Sequence, residues 1–213
     1  MRVPHTWQNG LDALRSTTTG ASLLNDPLLQ AIEVVEDPAL QAYGISPSAN
    51  RIFVGTHGLS ATQQACILAH ELTHCHDLAS SGLEKDAYLA ENGLARTELN
   101  AHMNQGLVLR ELNRNPAYQG EINLFINGHT VWAKSARWLT RDDVKNDLTS
   151  NPQYASAMHR HTQEGKALFE YEPFLFSRTR AFHCDANLNV NMNWQKLRGS
   201  VLGRKSVFHP RGR

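Results

Sequence analysis

Cysteine is scarce. Cys66, Cys75 and Cys184 are the only three in 213 residues, an odd and sparse set that argues against a disulfide framework and for a reducing compartment. Long apolar runs are missing too. Although 41% of the residues are hydrophobic, no window approaches the roughly 20 unbroken apolar residues of a membrane span. Neither charge predominates, since 21 Lys+Arg face 20 Asp+Glu without long basic runs. The electrostatic footprint of a phosphate-neutralising protein is therefore lacking, and nucleic acid is not expected as the main partner. Internal repeats, low-complexity tracts and linkers are also absent, which at this length favours one domain with a core that needs no staples.

Met1 to Gly20 contains no apolar segment with basic flanks and a small-residue cleavage site, so no Sec-type signal peptide is expected there. Its stretch Arg15-Ser16-Thr17-Thr18-Thr19-Gly20 reads as a flexible polar leader over residues 1–20, ahead of a domain over 21–213.

Past Gly20, a short helical piece is expected around Leu23 to Gln30, then a strand over Ala31 to Glu36 closed by Asp37-Pro38. Gly44 to Asn50, rich in Ser, Pro and Asn, reads as a loop, and Arg51 to Gly55 as a second strand. Ser60-Ala61-Thr62-Gln63 has the capping-box form, opening a helix over 61–79 that Ser80-Ser81-Gly82 ends. A further helix is expected from about Gly93 to Leu112. Ile122 to Ile126 then faces His129 to Ala133 across Asn127-Gly128, the pattern of a tight hairpin. Helices near 141–149 and 153–170 precede a tail from Arg178 that carries no assignable pattern.

What the chain has in abundance is histidine, with 11 residues. Two of them form His70-Glu71-Leu72-Thr73-His74 inside the capped helix. Residues four apart on a helix differ by about 40° around its axis, so both imidazoles project from one face and can reach one metal ion. Two neutral nitrogen ligands for Zn²⁺ and an adjacent carboxylate able to deprotonate a metal-bound water are the parts of a metal-assisted hydrolase. With 11 His and 11 Glu in 213 residues, chance produces this pattern roughly 0.03 times. The plain alternative is a histidine-bearing exposed helix face.

A third ligand must come from elsewhere. The long metzincin pattern needs Gly at 77 and His or Asp at 80, where this chain has Asp77 and Ser80. The helix descends from His74 to about Ala79, roughly 7–8 Å at 1.5 Å per residue, and the chain must climb back equally far. If the next helix starts after Asn92-Gly93, Glu98 reaches the level of the two histidines, whereas Glu84 lies too near the turn and Glu91 at the helix base. His102 follows Glu98 by four residues on the same face, where it is either the ligand instead, a partner that orients one, or a surface histidine. His76 and Asp77 are candidates for holding a ligand imidazole, or simply a polar helix end. Cys66, four residues before His70, reads as a buried thiol before a ligand. Donors for an oxyanion include Tyr171, Arg178, Arg180 and His183, and nothing in their spacing selects one.

Ile67-Leu68-Ala69-His70-Glu71-Leu72-Thr73-His74, preceded by the strand at Arg51 to Gly55 and followed by Thr97-Glu98-Leu99-Asn100-Ala101-His102, resembles a known group. It is similar to the short glutamate-type zincins that bacterial pathogens deliver by type III secretion, the NleD-like and XopG/HopH-like effectors, and distantly to clostridial neurotoxin light chains. The resemblance covers about Gly20 to Leu112. It implies His70, His74 and Glu98 as ligands of one Zn²⁺ per chain and Glu71 as catalytic base. It also implies an α+β, zincin-like single domain, with a small sheet over the active-site helix that includes the strand at Arg51 to Gly55 and the hairpin. The expected activity is that of a zinc endopeptidase, a monomer exported by a non-Sec route, with a host-cell protein as substrate in the host cytosol; the alternatives are a catalytically silent zinc-containing binding module and a housekeeping intracellular metallopeptidase. The light chains also carry a tyrosine three residues after an arginine, and this sequence has no Arg-x-x-Tyr.

Overall fold

The chain's longest helix begins where the sequence marks it most clearly. In a computed structural model, which describes residues 1–56, 58–126, 141–152, 154, 155 and 158, the Ser60 Oγ accepts from the Gln63 N–H at 3.3 Å while the Gln63 side chain accepts from the Ser60 N–H at 3.1 Å. Two of the first unsatisfied donors of the helix Ala61–Ser81 are thereby met. A third goes to another helix, because the Thr62 N–H donates to the Glu121 carboxylate at 2.8 Å. Gly82, at φ 67°, closes the helix in the left-handed conformation that a residue with a Cβ resists.

Seven helices and three strands are described: α1 (Gln8–Arg15), α2 (Thr18–Leu24), β1 (Glu33–Glu36), β2 (Gly44–Ser48), β3 (Arg51–Val54), α3 (Ala61–Ser81), α4 (Lys85–Asn92), α5 (Leu94–Asn113), α6 (Pro116–Ile126) and α7 (Arg141–Ser150). The mixture is α+β, as expected. The strand order is β1-β3-β2, with β1 parallel to β3 from Glu33 opposite Arg51 to Glu36 opposite Val54. β2 runs antiparallel to β3, with an irregularity between Ile45 and Ser48, and forms an edge. Pro47, which has no N–H to give a ladder, is tolerated at such an edge. Val34, Ile52 and Val54 are buried and alternate with less buried neighbours, the pattern of a sheet with one face on the core.

α3 and α5 form the centre of the core. Leu68, Leu72, Leu99, Leu109 and Leu112 are all fully buried, and each such side chain contributes roughly 1.5–3 kcal/mol of transfer free energy. Polar contacts fix how the two helices slide against each other. Asn100 Nδ2 donates to Asp77 Oδ2 at 3.2 Å and Asn104 Nδ2 to Thr73 Oγ1 at 2.8 Å, so α5 runs antiparallel to α3. That register carries Glu98, His102 and Gln105 to the level of His70 and His74. None of the described helices is long and apolar enough to cross a membrane.

The structure departs from the sequence reading in four places. Residues expected as a flexible leader are folded: Trp7, Leu11, Ala13 and Leu14 are buried, and the Thr17 side chain caps α2 by accepting from the Gly20 N–H. The Ser/Thr content that suggests disorder is thus spent on caps and on a bond from Thr19 Oγ1 to Glu111 at 2.8 Å. The expected loop at Gly44 to Asn50 contains β2, and α4 has no counterpart in the sequence reading. The first arm of the expected hairpin, Ile122 to Ile126, is the end of α6. There the Asn115 side chain accepts from the Ala117 N–H at 3.0 Å with Pro116 at the first helical position, a start signal that outweighs the turn residues downstream. The second arm, His129 to Ala133, lies outside the described residues, as does nearly all of the helix expected at 153–170.

Candidate metal centre

α3 presents His70 and His74 one turn apart, as their spacing requires, and their Nε2 atoms lie 3.1 Å from each other. Across the helix interface, the Glu98 carboxylate stands 3.5 Å from His70 Nε2 and 3.6 Å from His74 Nε2. Zinc bonds of 2.0–2.1 Å in tetrahedral geometry put neighbouring ligand atoms about 3.3–3.4 Å apart. The three separations bracket that value. Glu98 Oε2 is buried and has no hydrogen-bond partner, the state of an acceptor that a cation would satisfy. The donor set therefore fits a divalent metal ion.

The surroundings orient these donors and set their charge. The His70 Nδ1 lies 3.2 Å from Gln105 Oε1, which as a carbonyl oxygen accepts the proton and leaves Nε2 as the lone-pair nitrogen. Burial works against charge on Glu98, yet the adjacent His70 and His74 outweigh it and hold the carboxyl well below the usual range. Burial lowers the pKa of His74. For His70 burial acts the same way, but the Glu98 carboxylate prevails and the net shift is upward.

His102 has a different place. Its Nδ1 is 2.9 Å from the Glu98 backbone carbonyl and must donate there, so that nitrogen carries a proton. Burial, with the neighbouring His70 second, pushes its pKa down to about 3, and the ring is neutral near neutral pH. It stands edge-on to the His70 ring at 4.6 Å and to Tyr154 at 5.6 Å. Ligand atoms of His70, Glu98 and His102 also lie within 4.8 Å of one another, a geometric alternative to the set with His74. The 3.1 Å approach of His74 Nε2 to His70 Nε2, close to the spacing of two ligands on one ion, favours His74 as ligand, with His102 held by its Nδ1 on the Glu98 carbonyl as a partner that orients Glu98.

Glu71, next to the ligand pair, is buried, and its Oε2 accepts from the Ser46 hydroxyl at 2.7 Å. A Cβ on Gly44 would lie 3.0 Å from Glu71 Cγ and 3.1 Å from Oε1, so the edge strand can lie this close only without a side chain there. The four residues line one cavity of about 500 Å³ together with Tyr43, Ile45, Lys85, Gln105 and Tyr154. The Tyr154 hydroxyl is kept protonated by burial first and by the Glu98 charge second, which push its pKa up.

His70, Glu71, His74 and Glu98 are thus brought together as the spacing predicts, while other expected residues are elsewhere. His76 lies with Nε2 3.6 Å from Asp26 and Nδ1 3.7 Å from Asp77, tying α3 to the segment before β1. Cys66 is fully buried and absent from the cavity wall. Tyr171, Arg178, Arg180 and His183 lie outside the described residues. Sequence reasoning missed Ser46, Lys85, Gln105 and Tyr154. Only Gln105 left a signal there, since it follows Glu98 by seven residues and His102 by three on one helix face.

The chain matches no family model, no curated protein and no solved structure.

Proposed function

We propose that the protein is a zinc-dependent endopeptidase acting on a host-cell protein, with His70, His74 and Glu98 as ligands and Glu71 as base. One observation carries the reading: two Nε2 atoms 3.1 Å apart face a part-buried carboxylate at 3.5 and 3.6 Å, with Glu71 beside them in an open cavity. A bound zinc ion supplies a Lewis acid that acidifies water and polarises a carbonyl. Glu71 takes the proton of the attacking water and returns it to the leaving amine, so one carboxylate serves first as base and then as acid. Ser46 holds one of its oxygens and leaves the other for that transfer. Tyr154, protonated and lining the cavity, donates to the oxygen on which negative charge develops.

The position of β2 supports a peptide substrate. This strand is one edge of the described sheet and borders the cavity, where an extended chain can add as a further strand. The half-exposed side chains of Tyr43 and Ile45 offer apolar contact beside it. The resemblance to type III effectors supports the choice of a host protein, the non-Sec export route and action in the host cytosol.

The test incubates zinc-loaded wild type and Glu71→Ala protein with host lysate and compares new protein N-termini. The expected result is a small set of N-termini made only by the wild type. Identical sets from both proteins, with zinc content equal, would refute the proposal.

A further inference from the structure

The described lining of the large cavity holds two carboxylates, Glu71 and Glu98, but only one permanent cation, Lys85. Each carboxylate is engaged inside the site, Glu71 by Ser46 and Glu98 beside His70 and His74. Lys85 forms no ion pair with either. Its Nζ donates to the Ser46 carbonyl at 2.9 Å, and an ammonium has three protons to give. Ser46 is the residue whose hydroxyl holds Glu71, so the ammonium stands on the other side of one residue from the proposed base.

Lys85 also borders a second cavity of about 70 Å³. The two cavities share Ser46, His74, Lys85 and Glu98, and so meet at the candidate ligands. The remaining wall of the small one is largely apolar, with Leu78, Leu89 and Leu94. A space of this size takes one short side chain. Its chemistry is an apolar wall beside one ammonium, Lys85, and one carboxylate, Glu98, whose charge the proposed metal would take up. A cation with protons unspent on partners among the described residues, held beside an apolar wall, gains most from a ligand carboxylate, and it repels a basic side chain.

We propose that this small cavity is a substrate subsite for an acidic residue, Asp or Glu, whose carboxylate binds Lys85 and whose methylenes contact Leu78 and Leu89. The proposal rests on reading the large cavity as the peptide cleft, and it assigns Lys85 as a specificity-determining residue.

The experiment reads binding without turnover. Zinc-loaded Glu71→Gln protein is challenged with an N-acetylated, C-amidated hexapeptide library randomised at its four central positions, and bound peptides are sequenced. Further substitution of Lys85 by Met, Arg or Glu gives three companions. A charge-assisted hydrogen bond contributes enough for roughly tenfold enrichment of Asp or Glu at one position. That enrichment should persist with Lys85→Arg, vanish with Lys85→Met and turn into enrichment of Lys or Arg with Lys85→Glu. Acid enrichment that is absent, or equal in Lys85→Met, overturns the subsite. Zinc content of each protein is measured separately. Failure to load zinc counts against the metal centre, while an acid preference that still follows Lys85 in the same protein sustains the subsite.

Discussion

Ser46 Oγ lies 2.7 Å from Glu71 Oε2 and joins the edge strand β2 to the helix that carries both candidate ligand histidines. A carboxylate beside the ligands can swing between facing the ion and facing the attacking water, and this bond fixes one of its oxygens. Ser46→Ala should therefore leave zinc content unchanged and lower kcat about tenfold, the effect expected when a hydrogen bond to a charged group is lost. Ser46→Thr should restore most of the rate. A change confined to KM, or equal loss in the threonine variant, would mean that Ser46 acts on binding or packing instead.

If Glu71 transfers the proton as proposed, its removal separates chemistry from metal binding. Glu71→Gln should keep one zinc per chain and the melting temperature within a few degrees, while cleavage falls by roughly 10²–10⁴, the usual contribution of a positioned base. Metal analysis and a peptide assay check it together. Loss of zinc in this variant would make Glu71 a ligand.

The helix-borne part of this site was legible because its spacing encodes geometry. His70 and His74 share a face by periodicity alone, and Asn92-Gly93 sets the start of α5 so that Glu98 arrives level with them. Ser46, Lys85 and Tyr154 were not legible, because they reach the cavity from separate elements and no local pattern states how an edge strand or α4 docks on α3. The misread segments share a cause. Thr17 and Thr19 look like a polar tract until α5 supplies Glu111 as partner, and the Asn127-Gly128 turn signal overshadowed the helix start at Asn115-Pro116. Local chemistry was ambiguous in both places, and tertiary contacts decided it.

Ligand identity is testable by subtraction. Because a three-residue site loses its geometry with any one ligand, His70→Ala, His74→Ala and Glu98→Ala should each fail to retain stoichiometric zinc after dialysis. His102→Ala and Gln105→Ala remove only partners of ligands, so affinity should fall about 10–100-fold and zinc at saturating concentration should still bind. Full retention by His74→Ala with complete loss in His102→Ala would transfer the ligand role to His102.

Cys66 and Cys75 are fully buried, and burial pushes the Cys66 thiol up and the Cys75 thiol up to about 12. In the unfolded chain such thiols ionise near 8.5. As pH rises beyond that value the unfolded state binds fewer protons than the native one, so native stability should fall from about pH 8.5 upward. In a Cys184→Ser background, a thiol reagent at pH 8 should find nothing to react with until urea unfolds the protein, and then two thiols. Rapid modification of the native protein would show that one of these cysteines is accessible.

The first 20 residues offer the sharpest contrast between the sequence reading and the fold. A Cβ on Gly10 would lie 2.3 Å from Gln64 Cβ, and one on Gly20 2.1 Å from the Leu14 carbonyl oxygen. Neither neighbour can yield without moving the backbone of α3 or of the turn after α1. In an exposed helix, Gly→Ala stabilises by roughly 0.5–1 kcal/mol, and in a frayed leader it does nothing. Here overpacking should reverse the sign. Gly10→Ala and Gly20→Ala are each expected to destabilise by about 1–3 kcal/mol, read as a lower urea midpoint at unchanged m-value. The effect must also reach the site, because α1 packs on the helix that carries His70 and His74. Zinc should accordingly protect these variants by mass action, raising the midpoint with metal concentration as ligand binding to the native state alone requires. A neutral or stabilising outcome would return residues 1–20 to the role of a leader.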